Sequence, residues 1–223
     1  MVLKNQFKKA YANFYNAVKL TQINLGGNTN CYYWDFGQLC REKCTGYDQY
    51  GDCNKYSCID DTPLPPNQNG PRGDCAAFDD ELFFKSLKVV KYCHDHGLAN
   101  GCLTSDYKGT DELKKAQNPD PDYTPNPNAS WASNSIKNNW SSYILADGTL
   151  IMKHGTHGYT VPIYAIDVNG HKKPNEWGKD IFMLQTFGNT LNGITQVKAA
   201  TFAHYPLVEG AVTTDTMIKN MYK

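Results

Sequence analysis

At 223 residues the chain is long enough for one large domain or two small ones, and 40% apolar residues support a core. Lys plus Arg and Asp plus Glu both number 22, so there is no net basic field to gather phosphates, which excludes nucleic acid as a main partner. Mean hydropathy is −0.58; no window approaches the ~20 apolar residues of a membrane helix, and no signal-peptide core opens the chain.

Residues 1–27 carry the clearest helical pattern. Leu3, Phe7, Tyr11 (with Ala10), Phe14 and Val18 recur at steps of three and four, while Lys4, Lys8, Lys9 and Asn13 take other faces. Gly26-Gly27 supplies the stop. The pattern starts at once with no capping residue, as if the helix continued upstream.

Residues 28–130 read as an insertion. All eight cysteines, Cys31, Cys40, Cys44, Cys53, Cys58, Cys75, Cys93 and Cys102, lie within it. An even number of thiols crowded among Gly, Pro, Asp and Tyr is the pattern of a disulfide framework, which persists only in an oxidising compartment. The rival is zinc, but no Cys-x-x-Cys pair occurs, and structural zinc sites usually draw on such close pairs. An extracytoplasmic protein without an export signal is reconciled most simply if a targeting segment has been cut away. Within the insertion, Pro63 to Gly73 has no periodicity. Asp79 reads as an N-cap for a second helix, with Asp80 and Glu81 in its first turn. Phe83, Leu87 and Val90 form its stripe, Cys93 extends it, and Gly97 ends it. A short helix follows Thr110, and the proline-rich residues 117–130 read as an exposed linker.

From 131 to 223 the pattern is of strands. Tyr143–Ala146 and Thr149–Met152 flank Asp147-Gly148, a strong hairpin signal of type I′. Tyr159–Ile166 is a third strand, with Pro162 at an edge or bulge. Ile181–Phe187 is a fourth and Val197–Tyr205 a fifth. The expected fold class is α+β. A long N-terminal amphipathic helix packs on a C-terminal antiparallel sheet that keeps one face solvated, and the stapled insertion contains a second helix.

Three segments together resemble a family. They are Phe7-Lys-Lys-Ala-Tyr11-x-x-Phe14-x-x-Ala17, the hairpin Tyr143-Ile-Leu-Ala-Asp-Gly-Thr149, and Ile166-Asp-Val-Asn-Gly-His-Lys-Lys-Pro-Asn-Glu-Trp-Gly-Lys-Asp-Ile-Phe182. The chain is similar to the bacterial type IV pilin-like proteins, the prepilins and the type II secretion pseudopilins. The resemblance implies a non-enzymatic head outside the cytoplasmic membrane. It also implies a preceding apolar half-helix that anchors the protein in that membrane and packs in the filament core. Its partners would be other pilin-like subunits, met in part through Leu3, Phe7, Tyr11, Phe14 and Val18. Two departures stand out: the leader and apolar half-helix are not in this sequence, and the cysteines lie upstream of the C-terminal loop that the family usually closes.

Other side chains admit a functional and a structural reading. Asp167, Asn169, Asn175 and Asp180 offer four oxygen donors in a Gly- and Pro-interrupted stretch, which suits calcium. Some pseudopilins carry calcium in a loop of the sheet domain. The EF-hand pattern is missing, and Asp and Asn equally build Asx-turns that lock a strand connection without metal. His94 and His96, at the expected end of the second helix, and His154 and His157, in a Gly-rich turn, lack a third ligand and read as solvated turn residues. No serine elbow, phosphate loop or free thiolate pattern points to an enzyme. Tyr32, Tyr33, Trp34, Tyr47, Tyr50 and Tyr56 either present a surface for glycan, as an adhesin-like alternative would, or simply pack the stapled loops. Asn128-Ala-Ser130 and Asn139-Trp-Ser141 match the glycosylation sequon.

Overall fold

A computed structural model describes residues 2–26, 42–51, 53–58, 60–63, 75–154, 163–189, 193–200 and 208–222. The chain is α+β. Helix α1 (Val2–Asn24) is closed by Gly26 in the left-handed region at φ 82°, where its N–H bonds the Ile23 carbonyl at 3.1 Å. Strands β1 (Glu42–Tyr47) and β2 (Cys53–Cys58) form a small antiparallel ribbon, stapled by Cys44–Cys53. Helix α2 (Cys75–Asp79) runs on as a π-helical segment, Asp80–Ser86.

The centre of the molecule is a six-stranded antiparallel meander. It comprises β3 (Val89–Cys93), β4 (Ser141–Leu145), β5 (Leu150–Lys153), β6 (Ile163–Asp167), β7 (Ile181–Asn189) and β8 (Gly193–Ala199), adjacent in chain order. Helices α3 (Thr110–Gln117) and α4 (Ser133–Asn138) fall between β3 and β4, and α5 (Thr214–Asn220) follows the sheet.

Alternation along the strands sorts the side chains onto two faces. One face presents Tyr143, Ile151, Tyr164, Ile166, Phe182, Leu184 and Val197, and the apolar stripe of α1 lies on it together with α2. Aromatic rings make the seam: Phe7 meets Phe182 edge-on at 4.7 Å, Phe14 meets Tyr164 at 4.9 Å, and Phe83 stacks on Tyr143 at 3.6 Å. Each such ring, fully withdrawn from water, contributes about 1.5–3 kcal/mol. The opposite face presents Leu150, Met152, Ile163, Ala165, Ile181 and Met183. Leu103, Tyr107, Leu113, Trp131, Ile136, Trp140 and Trp177 cover it.

This second layer corrects the expectation of a sheet with one solvated face. Strands β5 and β6 are buried along their whole length because segment 94–140 folds over them. The second helix also differs. The helical segment ends at Ser86, and Val89–Cys93 is instead an edge strand paired with β4. The spacing of Phe83, Leu87, Val90 and Cys93 satisfies a helix, but Val89, Val90 and Tyr92 are strand formers, and the β4 ladder decides the contest. Asp79 does not cap; it has helical φ and ψ, and its carboxylate pairs with the buried Lys153 of β5. The sheet therefore takes its first strand from within residues 28–130.

The hairpin stands where Asp147-Gly148 marks it, but its class differs. Leu145 receives the Gly148 N–H at 2.9 Å and donates to Thr149 at 2.8 Å, so the loop is Ala146-Asp147-Gly148. Only Gly148 has positive φ, at 88°. This is a type I turn closed by a glycine bulge rather than a type I′ turn. The third strand starts at Ile163 and the fifth ends at Ala199; Pro162 and residues 201–205 lie outside the described residues.

Candidate functional site

The segment with the densest polar chemistry is the connection from β6 to β7, residues 168–180. It begins with an Asx-turn, in which Asp167 Oδ1 accepts the Asn169 N–H at 3.1 Å. The Lys173–Pro174 peptide is cis, and Asn175 stands at φ 54°. Asp180 then gathers the far end: its Oδ2 accepts the Asn175 N–H at 2.8 Å and its Oδ1 the Glu176 N–H at 2.7 Å. Trp177 fixes the middle by donating its indole N–H to the Lys108 carbonyl at 2.8 Å.

All four calcium candidates are brought into this one connection. Asp167, Asp180 and Asn175 are buried and Asn169 is half-buried. The two carboxylates already serve protein donors, whereas the Asn169 and Asn175 side-chain oxygens are buried without a hydrogen-bond partner. Tyr107, from the segment preceding α3, donates its hydroxyl to Asp167 Oδ2, with the Gly170 carbonyl 3.2 Å from the same hydroxyl. The Asn175 side-chain amide donates to Asp106 Oδ2 at 3.0 Å. Among the described residues, no group of three or more His, Cys, Asp or Glu side chains is disposed to hold a metal ion.

Burial sets the protonation of this cluster. Asp167 is pushed up to about 8, chiefly by loss of water, and the nearby Asp180 carboxylate adds to the rise. Asp180 is raised for the same first reason, against the pull of the Glu176 and Asn175 N–H groups. Near neutral pH Asp167 thus carries a proton. The Tyr107 hydroxyl lies within hydrogen-bond reach of both Asp167 Oδ2 and the Gly170 carbonyl. Asp106, near the surface, is held low by the Thr104 hydroxyl and then by Asn175. Asp167, Asn175 and Asp180, buried together, hold the connection in place.

The other named residues scatter. Of the proposed subunit-packing set, Phe7, Phe14 and Val18 are consumed inside the molecule, and Leu3 and Tyr11 are half-buried against the same core. Tyr11 also donates to the Val197 carbonyl at 2.9 Å. The outward side of α1 is a different set: Asn5, Lys8, Lys9, Asn13, Asn16 and Leu20. Cys44–Cys53 and Cys93–Cys102 are bridged, and Cys58 is also disulfide-bonded. Cys31, Cys40 and the Cys75 side chain lie outside the described residues, as do Tyr32, Tyr33, Trp34, His157 and the Tyr56 side chain. Tyr47 is exposed and Tyr50 half-buried.

His94 and His96 are exposed in the turn after β3, as solvated turn residues would be, whereas His154 is not. His94 follows strand β3 rather than a helix and meets the Tyr92 hydroxyl at 3.0 Å, while His96 pairs with Asp95 at 2.9 Å. His154 is buried between the rings of Trp140 and Trp131, at 4.2 and 5.8 Å.

Sequence reasoning missed Tyr107, Asp106 and Lys153, and it gave Asp79 a capping role rather than its pairing with Lys153. Their partners lie about 60–75 positions away, and no local spacing announces them. Asp79 is raised by burial in spite of the neighbouring Lys153 ammonium, which marks this pair as the polar weak point of the α1 face. Comparison with family models, characterised proteins and solved structures finds no match to this chain.

Proposed function

We propose that the chain is the extracytoplasmic head of a pilin-like structural subunit, non-enzymatic, working in a type IV pilus or a type II secretion-like pseudopilus. One observation carries the reading: the three segments that resemble the family, distant in sequence, touch one another. Lys9 of α1 reaches Asp147 at the hairpin tip at 3.0 Å. The Gly148 carbonyl of that tip packs so close to Gly170 that a Cβ there would lie 2.1 Å from it. Phe7 of α1 packs on Phe182, the last residue of the third segment. Helix, hairpin and β6–β7 connection therefore form one physical unit. Two bridged cysteine pairs suit an oxidising compartment.

The test is made in the native host with the coding region read upstream of Met1. The reading expects a basic leader, a cleavage point and ~20 apolar residues there. It also expects the mature protein in filaments sheared from the cell surface, or in an envelope-spanning assembly. An ordinary secretory signal peptide, with the protein recovered wholly soluble, would overturn it.

A further inference from the structure

Helix α1 carries Lys4, Lys8, Lys9 and Lys19 and no acidic residue. With its apolar stripe spent on the sheet, its outward side borders a groove of about 470 Å³. The floor is apolar, formed by Ala17, Leu20, Leu87 and Leu145. The rim is charged, with the Lys9–Asp147 pair at one side and exposed Lys88 at another.

The opposite face of the sheet carries a complementary feature. Between α3 and α4, residues 118–130 contain no Lys or Arg, two exposed aspartates (Asp120 and Asp122) and four prolines. Both aspartates lack a salt bridge among the described residues. The segment is also preset. Asn118, Asp120 and Asn126 each accept the backbone N–H two residues on, at 2.9 Å, so three Asx-turns fix its course. A preset segment loses little conformational freedom on docking.

We propose that the groove beside α1 receives the acidic, proline-rich segment 118–126 of a second copy of this chain. Prolines and Tyr123 cover the leucine floor while Asp120 and Asp122 approach Lys88 and Lys9, the two lysines that line the groove. The two surfaces lie on opposite faces of one sheet, so a two-fold pair cannot satisfy both at once. The contact is heterologous and repeats from copy to copy, building an open array rather than a closed dimer. The inference rests on the subunit reading above and names the surfaces by which heads meet.

Sedimentation of the purified chain, with its disulfides intact, tests it. Open-ended association that grows with concentration at low salt and fades near 0.5 M salt, where the screening length falls to roughly 4 Å from about 10 Å at 0.1 M, is expected. Lys88→Glu alone and the pair Asp120→Lys with Asp122→Lys alone should each raise the dissociation constant at least about tenfold. All three positions are exposed, and an unchanged far-ultraviolet spectrum checks the fold. Mixing the two variants should restore association, because each reversed surface then meets its reversed partner. A chain that stays monomeric, a closed dimer, or a mixture without rescue would overturn the interface. Filaments in the native host together with a monomeric isolated head would sink this contact and leave the subunit reading standing.

Discussion

Gly148 and Gly170 face each other across one contact yet should respond differently to the same substitution. Both have positive φ, 88° and 62°. An added Cβ at Gly148 meets nothing within 4 Å, so Gly148→Ala involves backbone strain alone and should cost about 1 kcal/mol, with Gly148→Val reaching about 1–3. At Gly170 the Cβ would strike the Gly148 carbonyl, so Gly170→Ala should cost more than about 3 kcal/mol. Urea unfolding of the two alanine variants gives the comparison; equal losses would mean the hairpin tip gives way. Asp167 supplies a second residue-scale prediction. Its folded value of about 8 lies above the roughly 3.9 of an unfolded chain. Below the lower value both states hold the proton, and the stabilising contribution is complete. Between the two only the folded state holds it, so stability falls as pH rises, by up to about 1.4 kcal/mol per pH unit, and levels off above 8. Asp180 and Asp79, also raised, act in the same sense. Wild type should be less stable at pH 8 than at pH 5, and Asp167→Asn should remove most of that difference. An Asp167→Asn variant with the wild-type slope would place the titration elsewhere.

Among the elements, the β6–β7 connection commits both of its buried carboxylates, Asp167 and Asp180, to protein donors. Chelator should therefore leave the melting temperature unchanged, and Asp167→Ala should cost about 1–3 kcal/mol through lost hydrogen bonds. A chelator-induced fall reversed by calcium, and absent in Asp180→Ala, would instead make a cation part of this element. The two staples should also separate. Cys93–Cys102 closes the root of the layer over β5 and β6, and replacing both residues by Ala should cost about 2–3 kcal/mol. Amide exchange should then quicken across 94–140. Loss of Cys44–Cys53 should loosen only the β1–β2 ribbon, since among the described residues that ribbon pairs with no strand of the meander. Quickening of the central strands in the ribbon variant would contradict this. Elements with a strong local signal were legible. The 3.6-residue stripe of α1 and the Asp-Gly turn mark their own places. The turn's class was not, because one φ value at Asp147 separates a type I′ turn from a type I turn with a bulge. Strand β3 was not, because Phe83, Leu87, Val90 and Cys93 fit a helix equally well until β4 lies beside them.

At the scale of the whole molecule, the α+β class and the helix-on-sheet layer could be anticipated from the amphipathic start and the later alternation. The third layer could not be placed, although a trace of it exists in the sequence. Leu150-Ile-Met152 and Ile163-Tyr-Ala-Ile166 are unbroken apolar runs, the mark of strands buried on both sides. The candidate site was half legible. Asp167, Asn169, Asn175 and Asp180 are near neighbours in sequence as in space, whereas Tyr107 and Asp106 reach them only through the fold of segment 94–140.

The hydrogen bond from Tyr11 to Val197 spans 186 positions. Helix α1 is thus made first and can dock only after β7 and β8 have been made. A chain delivered end-first through a translocation channel presents Phe7, Phe14 and Val18 long before their cover exists. Most of the stability of such an amphipathic helix comes from packing its apolar face, which is absent until then. Whatever shelters that stripe in the interval, a bilayer surface or a holding chaperone, governs how much of the chain arrives ready to fold.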